Sequence, residues 1–359
     1  TAKNLALLDK DVSFSFLWMR AGYDINQRLI PYTNDSTHAT AALVGILNTL
    51  LVAFVGCILA TIIGVFVGIL RLSKNWIIAK LMSVYIEGFR NVPLLLWIVM
   101  VFALLTEFTP QPRAFKGENP DASMIMFESI AVTNRGTYLP NPQWGTGSIW
   151  LILVFLVSLL GIVIFRRYAK NIQKNTGRNL PVLWVSLGIF FVPTILFYFI
   201  LGSPVTLEYP YLKGFNFKDG VHIRNSFIAL TLALAFYTSA FIGEIVRSGI
   251  MAISKGQTEA AAALGMRPNK IMSLIILPQA LRVIVPPMIS QYLNLTKNSS
   301  LAIAVGYMDV RGTLGGITLN QTGREMESMV LLMGFYLTVS LIISSVINYF
   351  NRSFQLVGK

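Results

Sequence analysis

Seven apolar runs divide the chain, at about 43–70, 82–106, 149–165, 183–201, 226–250, 288–306 and 329–350, and polar segments separate them. Several runs reach the ~20 residues a helix needs to cross a ~30 Å hydrocarbon core. The pattern predicts an all-α membrane protein with about seven crossings. In the first run Gly56, Ala60, Gly64 and Gly68 recur at i+4, a stripe that lets helix backbones approach closely in lipid. The segment 107–148 is rich in Pro, Gly and Asn and reads as an extramembrane loop with short structured pieces. Trp144 and Trp150 beside it suit an interfacial aromatic belt.

Composition agrees: 54% of the 359 residues are hydrophobic and 13% charged, roughly half the charged share of a typical soluble chain. The net charge of +13 would point a soluble protein towards nucleic acid, but its distribution assigns sides instead. Arg166, Arg167, Lys170, Lys174 and Arg178 follow the third run with no acid among them, and Arg247, Lys255, Arg267, Lys270 and Arg282 surround the single acid Glu259. By the excess of Lys and Arg on cytoplasmic loops, 71–81, 166–182, 251–287 and the tail 351–359 lie inside. Segments 107–148, 202–225 and 307–328 lie outside, and so does 1–42, with a turn around Pro31, Tyr32, Asn34 and Asp35. An outer segment without a signal-peptide pattern predicts a further crossing ahead of Thr1, eight in the full-length protein. Cys57 is the only cysteine, which excludes an intrachain disulfide. His38 and His222 stand apart, with no metal-ligand cluster around them.

The segment 254–287, SKGQTEAAAALGMRPNKIMSLIILPQALRVIVPP, is the most informative. Thr258, Glu259 and four alanines favour a short helix, and Gly265 supplies a left-handed stop. Pro268 suits the first turn of a second helix, whose apolar run ends near Pro278, with Pro286 and Pro287 ahead of the next crossing. The result is a helix–turn–helix with a small Ala-rich knob, poorly suited to bury itself in its own chain and able to enter a cleft on another protein with little side-chain entropy to lose.

Glu259-Ala260-Ala261, Gly265 after three residues, then Ile275, Leu277 and Pro278 resemble, without a gap, the EAA signature of ABC-importer permeases. The resemblance implies the transmembrane domain of a type I importer, whose coupling helix docks on a separate ATPase. Glu259, Ala260, Ala261, Gly265, Arg267, Ile275, Leu277 and Pro278 are then the coupling residues, with Gly265 setting the bend. YIEGFRNVPLLL at 85–96, the stretch 235–261 and LTKNSSLAIAVGYMDV at 295–310 resemble the polar amino acid branch, and the likeness covers roughly 40–106 and 226–355. Residues 107–225, with two additional helices, and the outer segment 20–37 resemble the longer permeases for glutamate, glutamine, aspartate or general L-amino acids. That implies four parts: an outer segment 1–42, two core helices in 43–106, an insertion 107–225, and core helices with the coupling loop in 226–359. It further implies a bacterial inner-membrane location, a dimer of ATPase subunits, a second permease in a heterodimer, and a periplasmic binding protein. No cofactor is expected in this chain, since ATP and Mg would be held by the partner ATPase; the chain itself carries no G-x-x-x-x-G-K-[ST] phosphate loop.

A charge inside a span needs a reason, at about 2.5–3.5 kcal/mol on insertion scales. Glu87 and Arg90 in the second run and Glu244 and Arg247 in the fifth are i,i+3 pairs, which either neutralise themselves near the interface or line the translocation path or its gate. Lys297, Tyr237, Thr238, Asn294, Asn298 and Ser299 are further candidates, and Pro93 just inside the second helix frees a backbone carbonyl, as in the broken helices that often line cavities. An ion-coupled secondary transporter is the main alternative, but the repeats with broken helices at matching positions that it would show are not found. A membrane-embedded enzyme lacks any intramembrane cluster of reactive groups.

Overall fold

The computed structural model describes residues 12–117 and 120–354. In chain order the elements are α1 (His38–Leu70), α2 (Trp76–Asn91), α3 (Leu94–Glu107), β1 (Ala131–Thr133), β2 (Gly136–Leu139), β3 (Asn141–Trp144), α4 (Ser148–Thr176), α5 (Val182–Ile200), β4 (Val205–Glu208), β5 (Tyr211–Lys213), β6 (Asn216–Lys218) and β7 (Val221–Ile223). There follow α6 (Asn225–Met251), α7 (Lys255–Ala263), α8 (Pro268–Val305) and α9 (Glu325–Phe354). Among the described residues six helices are long and apolar enough to cross a membrane, or seven if the bent pair α2–α3 counts as one span. The expectations for residues 1–11 of the outer segment and for the tail from 355 lie outside the described residues.

Helix starts follow local chemistry. Thr37 caps α1 by accepting the Thr40 N–H, and Asn75 caps α2 by accepting from Ile77 and Ile78, the roles short polar side chains fill at a helix N-terminus. Two expectations fail, both at prolines. The run 82–106 is two helices, because Pro93 has no N–H to give and disfavours a helical conformation at Val92, which is extended at ψ 134°; α2 and α3 meet at 107°. Conversely, the helix expected at 288–306 begins at Pro268. Pro278 does not end a helix but sits near the start of the regular helix Leu277–Asn298, and Pro286 and Pro287 lie inside it rather than ahead of it. A π-helical stretch, Met272–Ile276, joins the two parts, and a 3-10 stretch, Ser299–Val305, ends the helix.

The chain divides into two compact units, one built from residues up to Thr109 and from Ile223 onward, the other Pro110–His222. In the first unit α1 and α6 form the central pair. A Cβ placed on Gly64 would stand 2.7 Å from the Ile242 Cβ and 2.9 Å from the Ser239 carbonyl, and one on Gly68 2.6 Å from the Gly243 carbonyl. The small-residue stripe of α1 therefore packs within the chain, with Ala60 fully buried and Gly56 against Leu295. Around this pair lie α2, α3 and α8, with Ile98, Leu230, Leu234 and Ile242 in the core.

The end of this unit around the start of α1 is a polar lock. The Asn48 side chain donates to the carbonyls of Gln27 and Met308 at 2.8 and 2.9 Å, and the Thr49 hydroxyl accepts the Val310 N–H at 3.0 Å. Ala21, Ile25 and Tyr32, from the segment ahead of α1, pack on Ala41 and Val44 of α1. Asp309 is fully buried, one carboxylate oxygen accepting the Gly312 N–H at 2.7 Å and the other without a partner. Burial pushes its pKa up to about 6.

In the second unit α4 and α5 form an antiparallel hairpin whose outer ends continue into the paired strands β3 and β4. Beside them β1, β2 and β7 make a three-stranded sheet over Ala131, Tyr138 and Phe217, and β5 pairs with β6. These strands are the short structured pieces of the polar connections.

Gly64→Ala should lower stability by about 1–3 kcal/mol, because backbone and a β-branched neighbour must yield, whereas Gly88→Ala, with nothing within 4 Å, should not. Thermal unfolding in detergent measures both. Asp309 holds a proton in the folded state at pH values where the unfolded carboxyl has lost it. Stability should therefore fall as pH rises from about 4 to about 6, by on the order of 2–3 kcal/mol, and stay low above. Asp309→Asn, which still accepts the Gly312 N–H, should flatten that profile.

Candidate functional site

Two groups of residues stand out in the first unit. The first is the knob formed by α7 and the start of α8. Its turn is a Schellman motif: the Gly265 N–H reaches the Ala262 carbonyl at 2.9 Å and the Met266 N–H reaches Ala261 at 3.2 Å. Gly265 sits at φ +74°, which a residue with a Cβ reaches only at a cost of about 1–2 kcal/mol. Beneath the turn Ala261, Ile271 and Ile276 are buried, with Met266 and Ile275 packed against them.

This arrangement sorts the coupling candidates. Glu259, Ala260, Gly265, Arg267, Leu277 and Pro278 are exposed and Ile275 is half-buried. Ala261 is only 3% exposed, so the expectation that it contacts a partner is corrected, and so is the idea that the knob buries nothing of itself. A methyl is the largest group that fits where α7 meets its own small core. Leu264 is 83% exposed at the C-terminal end of α7, beside Gly265. Sequence reasoning passed over it, although a leucine ending an alanine run before a helix-stop glycine marks an apolar tip. Gln279 donates to Gln257 at 3.4 Å, a further tie between α8 and α7.

The second group gathers at the end of α6 that leads into this knob. Arg247 donates to Glu244 at 2.6 Å, and Arg71, just past α1, makes a second ion pair with the same carboxylate. Arg71 also donates to Ser83 of α2 at 3.1 Å. Three helices thus meet at one half-buried acid. The Glu244–Arg247 pair expected from its spacing forms, while among the described residues no ion pair joins Glu87 to Arg90: both are exposed, and the Arg90 guanidinium lies 5.2 Å from the Phe241 ring centre. Arg71 carried no signal in the sequence beyond its place after the first run.

At the break before α3, Phe89 stacks on Trp97 with ring centres 4.3 Å apart across the exposed Pro93, and Tyr85 shares a hydrogen bond with Ser239 of α6 at 2.7 Å. Of the other path candidates, Asn294 and Lys297 are exposed and Tyr237 and Asn298 half-buried. Thr238 and Ser299 are buried, the latter donating to the Thr296 carbonyl at 2.7 Å, so neither faces an opening. No group of three or more potential metal ligands occurs among the described residues.

Residues 172–355 match the family model of the binding-protein-dependent transport system inner membrane component. The chain is 54% identical to the glutamate/glutamine/aspartate/asparagine transport system permease protein BztB of Rhodobacter capsulatus, over 98% of this chain and 88% of that one. It is 44% identical to the general L-amino acid transport system permease protein AapQ of Rhizobium johnstonii, over 100% and 88%. Among solved structures, the crystal structure of an amino acid ABC transporter with histidines superposes with a TM-score of 0.51 at 20% identity, covering 88% of this chain and 95% of that one. That likeness concerns the fold alone.

Glu244→Gln leaves two guanidiniums short of their charged partner and should destabilise the protein by about 1–3 kcal/mol. Adding Arg71→Gln should cost less than the sum of the single changes, because the pair is coupled. Thermal unfolding of the single and double variants measures this.

Proposed function

We propose, from the premise that this chain belongs to the family of binding-protein-dependent transport system inner membrane components, that it forms half of the path by which polar L-amino acids cross a bacterial inner membrane. The chain is a multi-pass permease subunit of an amino acid ABC importer with the type I transmembrane fold. The glutamate, glutamine, aspartate and general L-amino acid names of its relatives support the substrate class. None of the relatives named above supports the ion-coupled alternative.

In this reading the second half of the path is a homologous permease, a periplasmic binding protein delivers the amino acid, and a dimer of ATPase subunits binds ATP and Mg and supplies the energy. The observation that carries the coupling role is the knob itself: Leu264 and Glu259 are exposed on a turn that Ala261 and Gly265 hold rigid. A partner that grips Leu264 in an apolar cleft and pairs with Glu259 moves α7 as one piece. Met251 ends α6 only a few residues before α7 begins, so the movement reaches the Arg71–Glu244–Arg247 joint directly. The joint and the polar residues Glu87, Arg90, Asn294 and Lys297 form the inner part of the path, where an amino acid that carries both charges needs both signs or well-placed polar groups. ATP binding and hydrolysis do work here only by favouring one conformation of the permease over another.

The test is the assembled transporter in nanodiscs with its binding protein. ATPase activity should rise with glutamate, glutamine or aspartate. Leu264→Asp, and separately Glu259→Lys with Gly265→Asp, should abolish that stimulation and weaken ATPase retention at least tenfold while the permease remains inserted. Normal retention and stimulation in both variants would remove the coupling role from the knob.

A further inference from the structure

The second unit carries a charge pattern that amino acid transport does not use. No Asp or Glu occurs anywhere in residues 129–207, yet Arg166, Arg167, Lys170, Lys174 and Arg178 fall within that span. All five are exposed, and none makes an ion pair among the described residues. Four of them are on α4, which has 29 residues. At 1.5 Å per residue it runs ~43 Å, against ~30 Å of hydrocarbon, so its basic end projects beyond the apolar layer.

The height of that boundary follows from the hairpin. A Cβ on Gly161 would lie 3.3 Å from Ile189, so with antiparallel axes Arg166 stands level with the first turn of α5. Trp184 is there, 74% exposed, at the depth where aromatic residues mark a membrane interface. Arg166 and Arg167 are therefore at the headgroup level, with Lys170 and Lys174 one and two turns further out.

The four cations share a face. At about 100° per residue, positions 166, 167, 170 and 174 fall within an arc of roughly 100°. On the other side of the same turns Ala169 is buried and Phe165 and Ile172 are half-buried. Following the basic arc back into the apolar part meets Val163, Leu160, Leu159 and Leu156, each at least 40% exposed. One helix face thus presents a strip of uncovered aliphatic side chains that ends in four cations without an acidic partner among the described residues. Its complement is a molecule with an apolar tail beside an anionic head.

We propose that this face of α4 is a docking surface for anionic phospholipid, the acyl chains lying along Leu156–Val163 and the phosphate among Arg166, Arg167, Lys170 and Lys174. An acidic protein surface outside the membrane would satisfy the cations but would leave the aliphatic strip uncovered. The partner is therefore lipid, and binding should weaken with salt.

Native mass spectrometry of the assembled transporter, titrated with phosphatidylglycerol against phosphatidylcholine, reads this without amino acid or ATP, so its outcome is separate from that of the coupling test. Phosphatidylglycerol should be retained preferentially. Lys170→Gln with Lys174→Gln should cut the preference roughly twentyfold, at about fivefold per charge, while Arg166 and Arg167 still fix the orientation of the helix. Lys170→Arg with Lys174→Arg should keep the preference and so control for folding. Equal retention of the two lipids by the unmodified protein, or a preference untouched by the Gln pair, would overturn the proposal. So would a Gln pair that loses a protein subunit without changing lipid selectivity, since that would make the face a protein interface.

Discussion

The backbone contact between α1 and α6 is the constraint on which the first unit depends. In lipid no hydrophobic effect drives two apolar helices together, so association rests on how closely they fit. Gly64 and Gly68 let the α1 backbone approach Ser239 and Gly243 of α6 to a distance that no side chain would permit. Once that pair is set, the N-terminal part of α1 is pinned by Asn48 and Thr49 to the segment around Met308–Val310. Its C-terminal end presents Arg71 to Glu244. The small residues in mid-span fix the separation of the two helices, and the polar ties at both ends fix their register.

A buried polar network of this kind is demanding. Each group taken out of water must find a partner, or its desolvation is uncompensated. Tyr307 meets the demand by donating to the Asn48 carbonyl at 3.2 Å, and Thr313 by donating to the Asp309 carbonyl at 3.0 Å. The second carboxylate oxygen of Asp309 has no partner, and a proton there removes the charge. The lock thus joins the segment ahead of α1, α1 itself and the segment after α8 through directional hydrogen bonds, though the side-chain oxygens of Gln27 and Asn48 accept none, and such bonds contribute specificity where apolar packing alone is permissive.

What the sequence disclosed and what it withheld divide along physical lines. Spans were legible because ~20 apolar residues in a row have few other uses, and the Gly265 turn was legible because a left-handed position after an alanine run admits few side chains. Proline was only partly legible. The break at Pro93 could be read from its missing N–H, though hydropathy joins the two sides into one run, whereas Pro286 and Pro287 sit within a helix that composition alone would stop. The difference lies in tertiary support: the stack of Phe89 on Trp97 braces the bend at Pro93, and the sequence does not announce it. Long-range partners were withheld for the same reason. Glu244 and Arg247 are three residues apart and their pairing could be inferred, but Arg71 is 173 positions from Glu244, and only the fold brings them together.

The cluster at Glu244 and the knob at Leu264 are held by different physics. Stiffness at the knob comes from the Schellman turn and from Ala261 seated on Ile271 and Ile276. At the joint, one carboxylate is shared by two guanidiniums, one just past α1 and one on α6. A half-buried ion pair contributes little net stability, since desolvation offsets much of the attraction. The fold therefore places close small-residue packing along α1 and α6, and a cluster of charges where the end of α1 meets α6.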